Sequence, residues 1–133
     1  MNRLLLDTTF LVDAERSGEE LDRAFGDDDD VAIAAVTLAE IRVGALLARG
    51  RRRTARAAFV DDVAATVPIV GYDATVAEAH AVLLAAVRRQ GRPRGAHDLV
   101  IAATARATQR TVITADSDAF ADLPGVEARS HRP

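Results

Sequence analysis

The chain reads as a three-layer α/β domain around a central, mostly parallel sheet, and three observations carry that expectation. Short β-branched or leucine-rich runs alternate with helix-length segments of helical apolar spacing. The connections between successive strand segments are long enough to return the chain in parallel through a helix. No linker, internal repeat or long low-complexity stretch divides the 133 residues, so 1–133 is expected to form one domain.

Arg3 to Leu6 is a short apolar strand, ended by the polar Asp7-Thr8-Thr9. Phe10 to Glu15 follows as a short helix, and a second helix is expected around Glu19 to Phe25, closed by Gly26 and the acidic run Asp27 to Asp30. Val31 to Val36 is an apolar run of the kind that a parallel sheet buries on both faces. Thr37-Leu38-Ala39-Glu40 opens a helix expected to reach Arg49 and to stop at Gly50, and the next helix covers Thr54 to Thr66. Val67 to Gly71 is a strand that Pro68 assigns to an edge of the sheet.

Asp73 caps a helix from Ala74 to Gln90. From Val76 to Val87 it is apolar on almost every side, which suits burial or a subunit contact and makes it the first candidate for a dimer surface. Gly91 to Gly95 is a Gly/Pro/Arg loop. His97 to Gln109 reads as a helix with Leu99, Val100, Ala102, Ala103 and Ala107 inward, and Thr111 to Thr114 as a strand. A helical turn near Ala119 to Leu123 and a last strand at Val126 to Ala128 complete the pattern.

Composition excludes several chemistries. Cysteine is absent, so there is no disulfide framework, thiolate metal site or cysteine nucleophile, which suits a cytoplasmic protein. All 17 basic residues are Arg, so lysine-based phosphate loops and Schiff-base mechanisms are excluded. The apolar run Leu4 to Leu6 is too short for a signal peptide, and no stretch has the length of a membrane span. Neither a Gly-x-Ser-x-Gly elbow nor a Gly-rich phosphate loop occurs. The net charge of −3 argues against coating nucleic acid through bulk charge.

The acids that remain fall at strand ends. Asp7 directly follows the first strand, Glu40 lies one turn into the helix after the second, and Asp116 and Asp118 follow the strand Thr111 to Thr114. Asp98 joins them if its helix begins at the same rim. Ligands of open parallel sheets bind beyond the carboxyl ends of the strands. Crowded carboxylates repel, and a hard cation with oxygen ligands resolves the repulsion, so Mg²⁺ or Mn²⁺ suits this donor set. Each acid also has a purely structural role open to it. Thr37-x-x-Glu40 fits a capping box, Asp98 favours a helix N-terminus, and Asp116 or Asp118 can cap the following turn. Asp7 resists that reading best.

Other polar features belong elsewhere by the same geometry. Asp27 to Asp30 precedes its strand and so maps to the opposite, amino edge. Asp61 and Asp62 are adjacent on a helix and do not face one spot. Asp73 is an N-cap, and Glu78 is a helix-surface residue. His80, His97 and His131 are scattered; His97, beside Asp98, reads either as a support for that acid or, more simply, as a helix-start residue. Two arginine clusters, Arg49, Arg51, Arg52, Arg53 and Arg56, then Arg88, Arg89, Arg92 and Arg94, are placed at helix C-terminal ends, where cations complement the dipole. Their density exceeds that need, and with few aromatics for base stacking they suit phosphate and folded-RNA contacts.

Four stretches together resemble the PIN-domain nucleases, and among them the VapC-type toxins of bacterial toxin–antitoxin pairs. They are Leu4-Leu5-Leu6-Asp7-Thr8-Thr9, Thr37-Leu38-Ala39-Glu40 with Gly44, His97-Asp98-Leu99-Val100-Ile101-Ala102-Ala103-Thr104-Ala105, and Val112-Ile113-Thr114-Ala115-Asp116-Ser117-Asp118-Ala119-Phe120. The resemblance spans nearly the whole chain, and its third stretch is the most specific. It implies a PIN-like α/β/α fold and a metal-dependent endoribonuclease. Asp7, Asp98 and Asp116 would be metal ligands, and Glu40 would orient or deprotonate the attacking water, with Thr9 and Asp118 assisting. It further implies a homodimer and a cognate VapB-type antitoxin whose C-terminal segment fills the acidic site.

Three alternatives stand beside it. One is a PIN nuclease of RNA maturation or decay. Another is a phosphoaspartate domain, receiver-like or dehalogenase-like, which requires a Lys that the chain lacks. The last is a catalytically dead binding module, against which the intact acids argue.

Overall fold

The protein was analysed as a computed structural model that describes residues 1–18 and 21–132. Five strands form one sheet: β1 (Arg3–Leu6), β2 (Asp30–Ala34), β3 (Ile69–Val70), β4 (Thr111–Thr114) and β5 (Ala128–Ser130), in the order β3-β2-β1-β4-β5. Every pairing is parallel, Leu5 lying opposite Ala32 on one side and Val112 on the other. The central Leu4-Leu5-Leu6 is wholly buried because helices cover both faces.

Strand alternation sorts the side chains into two cores. Leu4, Leu6, Ile33 and Ile113 pack under α1 (Thr8–Ser17), α2 (Ala35–Leu47) and α3 (Gly50–Thr66), with Phe10, Leu11, Ile41, Ala45, Val60 and Val63. Leu5, Ala32, Ala34 and Val112 pack under α4 (Ala74–Gln90) and α5 (Ala96–Thr108), with Val76, Leu83, Leu99 and Ala102. The three-layer expectation therefore holds. Truncating one of these buried leucines to Ala would cost about 2–5 kcal/mol.

Several boundaries differ from the sequence reading. The helix expected to open at Thr37 begins at Ala35, because the apolar run splits into a strand to Ala34 and a helical first turn. That helix ends at Leu47, and Gly50, expected to be its stop, is the first residue of α3 at φ 59°. Arg49 is thus the N-cap of α3 and Arg51 to Arg53 lie in its first turns, so this cluster occupies a helix start and not a helix end. Glu19 and Glu20 of the expected second helix lie outside the described residues, and Leu21–Arg23 forms a single 3₁₀ turn. The turn after Asp116 is a 3₁₀ segment, Ser117–Phe120, and the last strand falls two residues later than expected.

Other expectations hold. β3 is an edge strand, and Pro68 sits just ahead of it with its carbonyl accepting the Ile33 N–H at 3.0 Å. Asp73 caps α4 by accepting from the Val76 N–H at 2.9 Å, and Gly91 ends that helix at φ 68°, where a side chain is disfavoured. α4 buries Val76, Ala79, Leu83 and Val87 and leaves Val82 exposed. Asp30 lies at the amino edge, paired with Arg3 at 2.7 Å and with the nearly buried Arg110 at 3.0 Å. Among the described residues no helix is long and apolar enough to cross a membrane.

Candidate active site

The chain order places a topological switch beside β1: β2 and β3 build outward on one side, β4 and β5 on the other. At such a point the connections leaving adjacent strands diverge and open a crevice at the carboxyl edge. Asp7 follows β1, Asp116 follows β4, and Glu40 is in the second turn of α2, which leaves β2. α5 leads down into β4, so its first turn, with Asp98, returns to that rim.

Asp7 is only 2 % exposed, so its carboxylate depends on local donors. Both converge on Oδ1: the Thr9 hydroxyl donates at 2.8 Å and the Phe10 N–H at 2.9 Å. Oδ2 is left without a protein donor among the described residues. The acid that resisted a capping reading best is therefore the N-cap of α1. Of the acids with such structural roles open to them, Glu40 and Asp116 make no side-chain cap bond, whereas Asp98 does lie in the first turn of α5, the helix N-terminal place expected for it. The N-cap of α2 is Ala34, and Thr37 is buried with its hydroxyl unpartnered, so Thr37 and Glu40 form no capping box. The N-cap of α5 is Gly95, and Asp116 makes no side-chain cap bond.

Thr9 is a hub between strands. Besides Asp7 it meets the Thr114 hydroxyl at 3.2 Å and accepts the Ala115 N–H at 2.9 Å, while Thr114 accepts the Asp116 N–H at 2.9 Å. Glu40 is held at both oxygens. The Thr8 hydroxyl donates to Oε1 at 2.7 Å, and His97 Nδ1 lies 3.2 Å from Oε2. Thr8 was not assigned this part from the sequence, although it adjoins Asp7, and His97, open to a supporting role beside Asp98, meets Glu40 instead. Gly95 leaves room for Asp98, since a Cβ there would stand 3.1 Å from Asp98 Oδ2.

Asp98 registers the convergence electrostatically. Its pKa is raised, first by burial and then by the charges of Asp7, Glu40 and Asp116, with His97 pulling the other way. Asp118 is itself exposed, in the 3₁₀ segment beyond Asp116, and is not among the groups acting on Asp98. The acid-lined cleft, bounded by Glu40, Gly95, Ala96, His97 and Asp98, is open and about 310 Å³. A larger cavity of about 880 Å³, lined by Phe25, Phe59, Asp27 and Asp62, touches none of the four acids, so chemistry and not size selects the site.

The donors are carboxylate and hydroxyl oxygens, which fit a hard divalent cation. Among the described residues no three His, Asp or Glu side chains are placed together so as to hold a metal ion as they stand.

Four acids thus converge at the switch point of a parallel α/β domain. The chain belongs to the PIN domain family, whose model matches residues 4–126. It is 34% identical over 127 residues to ribonuclease VapC4 of Mycobacterium tuberculosis (strain ATCC 25618 / H37Rv), covering 96% of this chain and 95% of that protein. It is 40% identical over 124 residues to ribonuclease VapC5 of the same strain, covering 91% and 87%. Among solved structures it resembles a member of the VapBC family of toxin–antitoxin systems, VapBC-5 from Mycobacterium tuberculosis. The TM-score is 0.80 at 32% identity, covering 98% of this chain and 99% of that one.

Proposed function

We propose that residues 1–133 form a metal-dependent endoribonuclease domain, the toxin of a VapBC-type toxin–antitoxin pair, with Asp7, Glu40, Asp98 and Asp116 as its acidic centre. The carrying observation is the raised Asp98 carboxyl, on which the charges of Asp7, Glu40 and Asp116 converge from three other elements. The likeness to the VapC ribonucleases over nearly the full chain supports the activity and the toxin role.

Asp7, Asp98 and Asp116 are the residues to hold the ion, Mg²⁺ or Mn²⁺. When bound, the ion supplies Lewis-acid polarisation of the scissile phosphate and lowers the pKa of a coordinated water. Glu40, held by Thr8 and His97, orients the attacking water and takes its proton. Attack is in line, and the leaving oxygen departs opposite the entering one. Thr9 fixes Asp7 against Thr114, and Asp118 assists from the rim.

The partner is a cognate VapB-type antitoxin whose C-terminal segment fills the acidic cleft, as the likeness to a VapBC toxin–antitoxin structure supports. A homodimer through α4, which keeps Val82 exposed, completes the assembly. Expression without an antitoxin is expected to arrest growth, and the purified protein to cleave RNA with Mg²⁺ or Mn²⁺ and not in EDTA. Cleavage without growth arrest would assign the chain to RNA maturation or decay. No cleavage with either metal would remove the nuclease reading.

A further inference from the structure

We propose that the tip of the α2–α3 hairpin is a phosphate-gripping surface that holds the RNA substrate some distance from the cut. The proposal rests on the nuclease reading above and adds where the RNA backbone is held.

The two arginine clusters have different fates in the fold. In the second, Arg92 pairs with Asp122 at 3.1 Å, and Arg94 donates to the carbonyls of Ala119 at 3.0 Å and Ala121 at 2.7 Å. Arg88 and Arg89 sit in the last turn of α4, where the dipole favours them. In the first, Arg49, Arg51, Arg52 and Arg53 are all exposed, and none makes a hydrogen bond or ion pair with the described residues. The neighbouring cations are already matched, Arg42 by Asp61 at 2.7 Å and Arg56 by Glu15 at 3.4 Å.

Stability does not account for the four at the tip. They stand at the start of α3, whose first turn holds no acid, and cations there oppose the helix dipole. A chain of net charge −3 thus gathers four unpaired arginines at one exposed helix start. Guanidinium forks match phosphate oxygens two at a time, so a nucleic-acid backbone is the complementary partner. α2 links the tip to the site. From Glu40 it continues to Leu47, about 10 Å of helical rise, so the tip would reach phosphates about three or more nucleotides from the cut.

The test measures binding of a fluorescent RNA hairpin of about 25 nucleotides across a salt series in EDTA, where binding is read without cleavage. Each lost phosphate contact removes about 0.7–0.9 from the slope of log K against log salt. Arg51→Gln/Arg52→Gln/Arg53→Gln should flatten the slope by about 2–3 and weaken binding by about a hundredfold near 0.1 M salt. The matching triple Lys variant should keep most of the slope, as should Arg88→Gln/Arg89→Gln. Thermal melts of all variants verify folding. An unchanged slope in a folded triple Gln variant overturns the proposal. So does unchanged RNA binding with loss of antitoxin co-purification, which would make the tip, beside the exposed Val43, Leu46 and Leu47, a protein interface. A flattened slope in a protein that cleaves no RNA would uphold the surface and sink the nuclease reading alone.

Discussion

The Thr8 hydroxyl donates to Glu40 Oε1 at 2.7 Å, while the hydroxyl of the next residue, Thr9, donates to Asp7 Oδ1 at 2.8 Å. Two consecutive side chains at the start of α1 thus aim two different acids. If Glu40 handles the proton of the attacking water, its aim governs turnover more than binding. Thr8→Val should lower kcat by about 10–100-fold with KM little changed, and Thr8→Ser should restore most of it. Steady-state kinetics on a defined RNA checks this, and a Ser variant as impaired as Val would contradict it.

Asp7 has two separable duties. As the N-cap of α1 it accepts the Phe10 N–H, a role Asn fills almost equally well. Asp7→Asn should therefore keep the melting temperature near that of the parent while abolishing cleavage. Asp7→Ala should abolish cleavage and also cost about 1 kcal/mol of stability. Equal stability of the two variants in denaturant titrations would remove the cap from the account.

Repulsion at Asp98 should make the metal-free protein less stable than it need be. Its carboxyl is raised by burial and by three neighbouring acids, so its charged form at neutral pH opposes folding. In EDTA at pH 7, Asp98→Asn should melt several degrees above the parent even as it loses activity. A lower melting temperature for the variant would show that the carboxylate is compensated by contacts other than those described.

Asp13 contributes in the opposite sense. Hydrogen bonding and charge from Arg132, with help from His131, hold its carboxyl below the ordinary 3.8. A depressed folded pKa gives stability that is fully present above the unfolded value and lost as pH falls through the folded one. Parent and Asp13→Asn should therefore differ most near neutrality and converge below about pH 4. A gap that stays constant from pH 7 to pH 3 would contradict the ion pair.

The strands were legible because Leu4 to Leu6 and Val112 to Ile113 are apolar on consecutive positions, the mark of a sheet covered on both faces. The placement of the four acids at one rim was legible because Asp7 and Asp116 follow strands, Asp98 lies in the first turn of a helix, and Glu40 lies one turn into the helix after β2. Their supports were not. The partners Thr8 and Glu40 are 32 positions apart, and helical spacing does not register a contact made across the crevice. The capping box failed because Thr37-x-x-Glu40 has the local signature of a cap while the apolar Ala34 takes the N-cap place and the helix starts at Ala35. Gly50 misled in a similar way, since a glycine at positive φ, most often a helix stop, here opens a helix instead.

The central claim is that Asp7 and Asp98, brought from β1 and α5 to one rim, are indispensable to RNA cleavage. The most direct measurement is Mg²⁺-dependent cleavage of RNA by Asp7→Asn/Asp98→Asn, with a cooperative melt showing that the variant is folded. The account predicts that cleavage falls to the level seen with parent protein in EDTA. Undiminished cleavage by the folded double variant would contradict it.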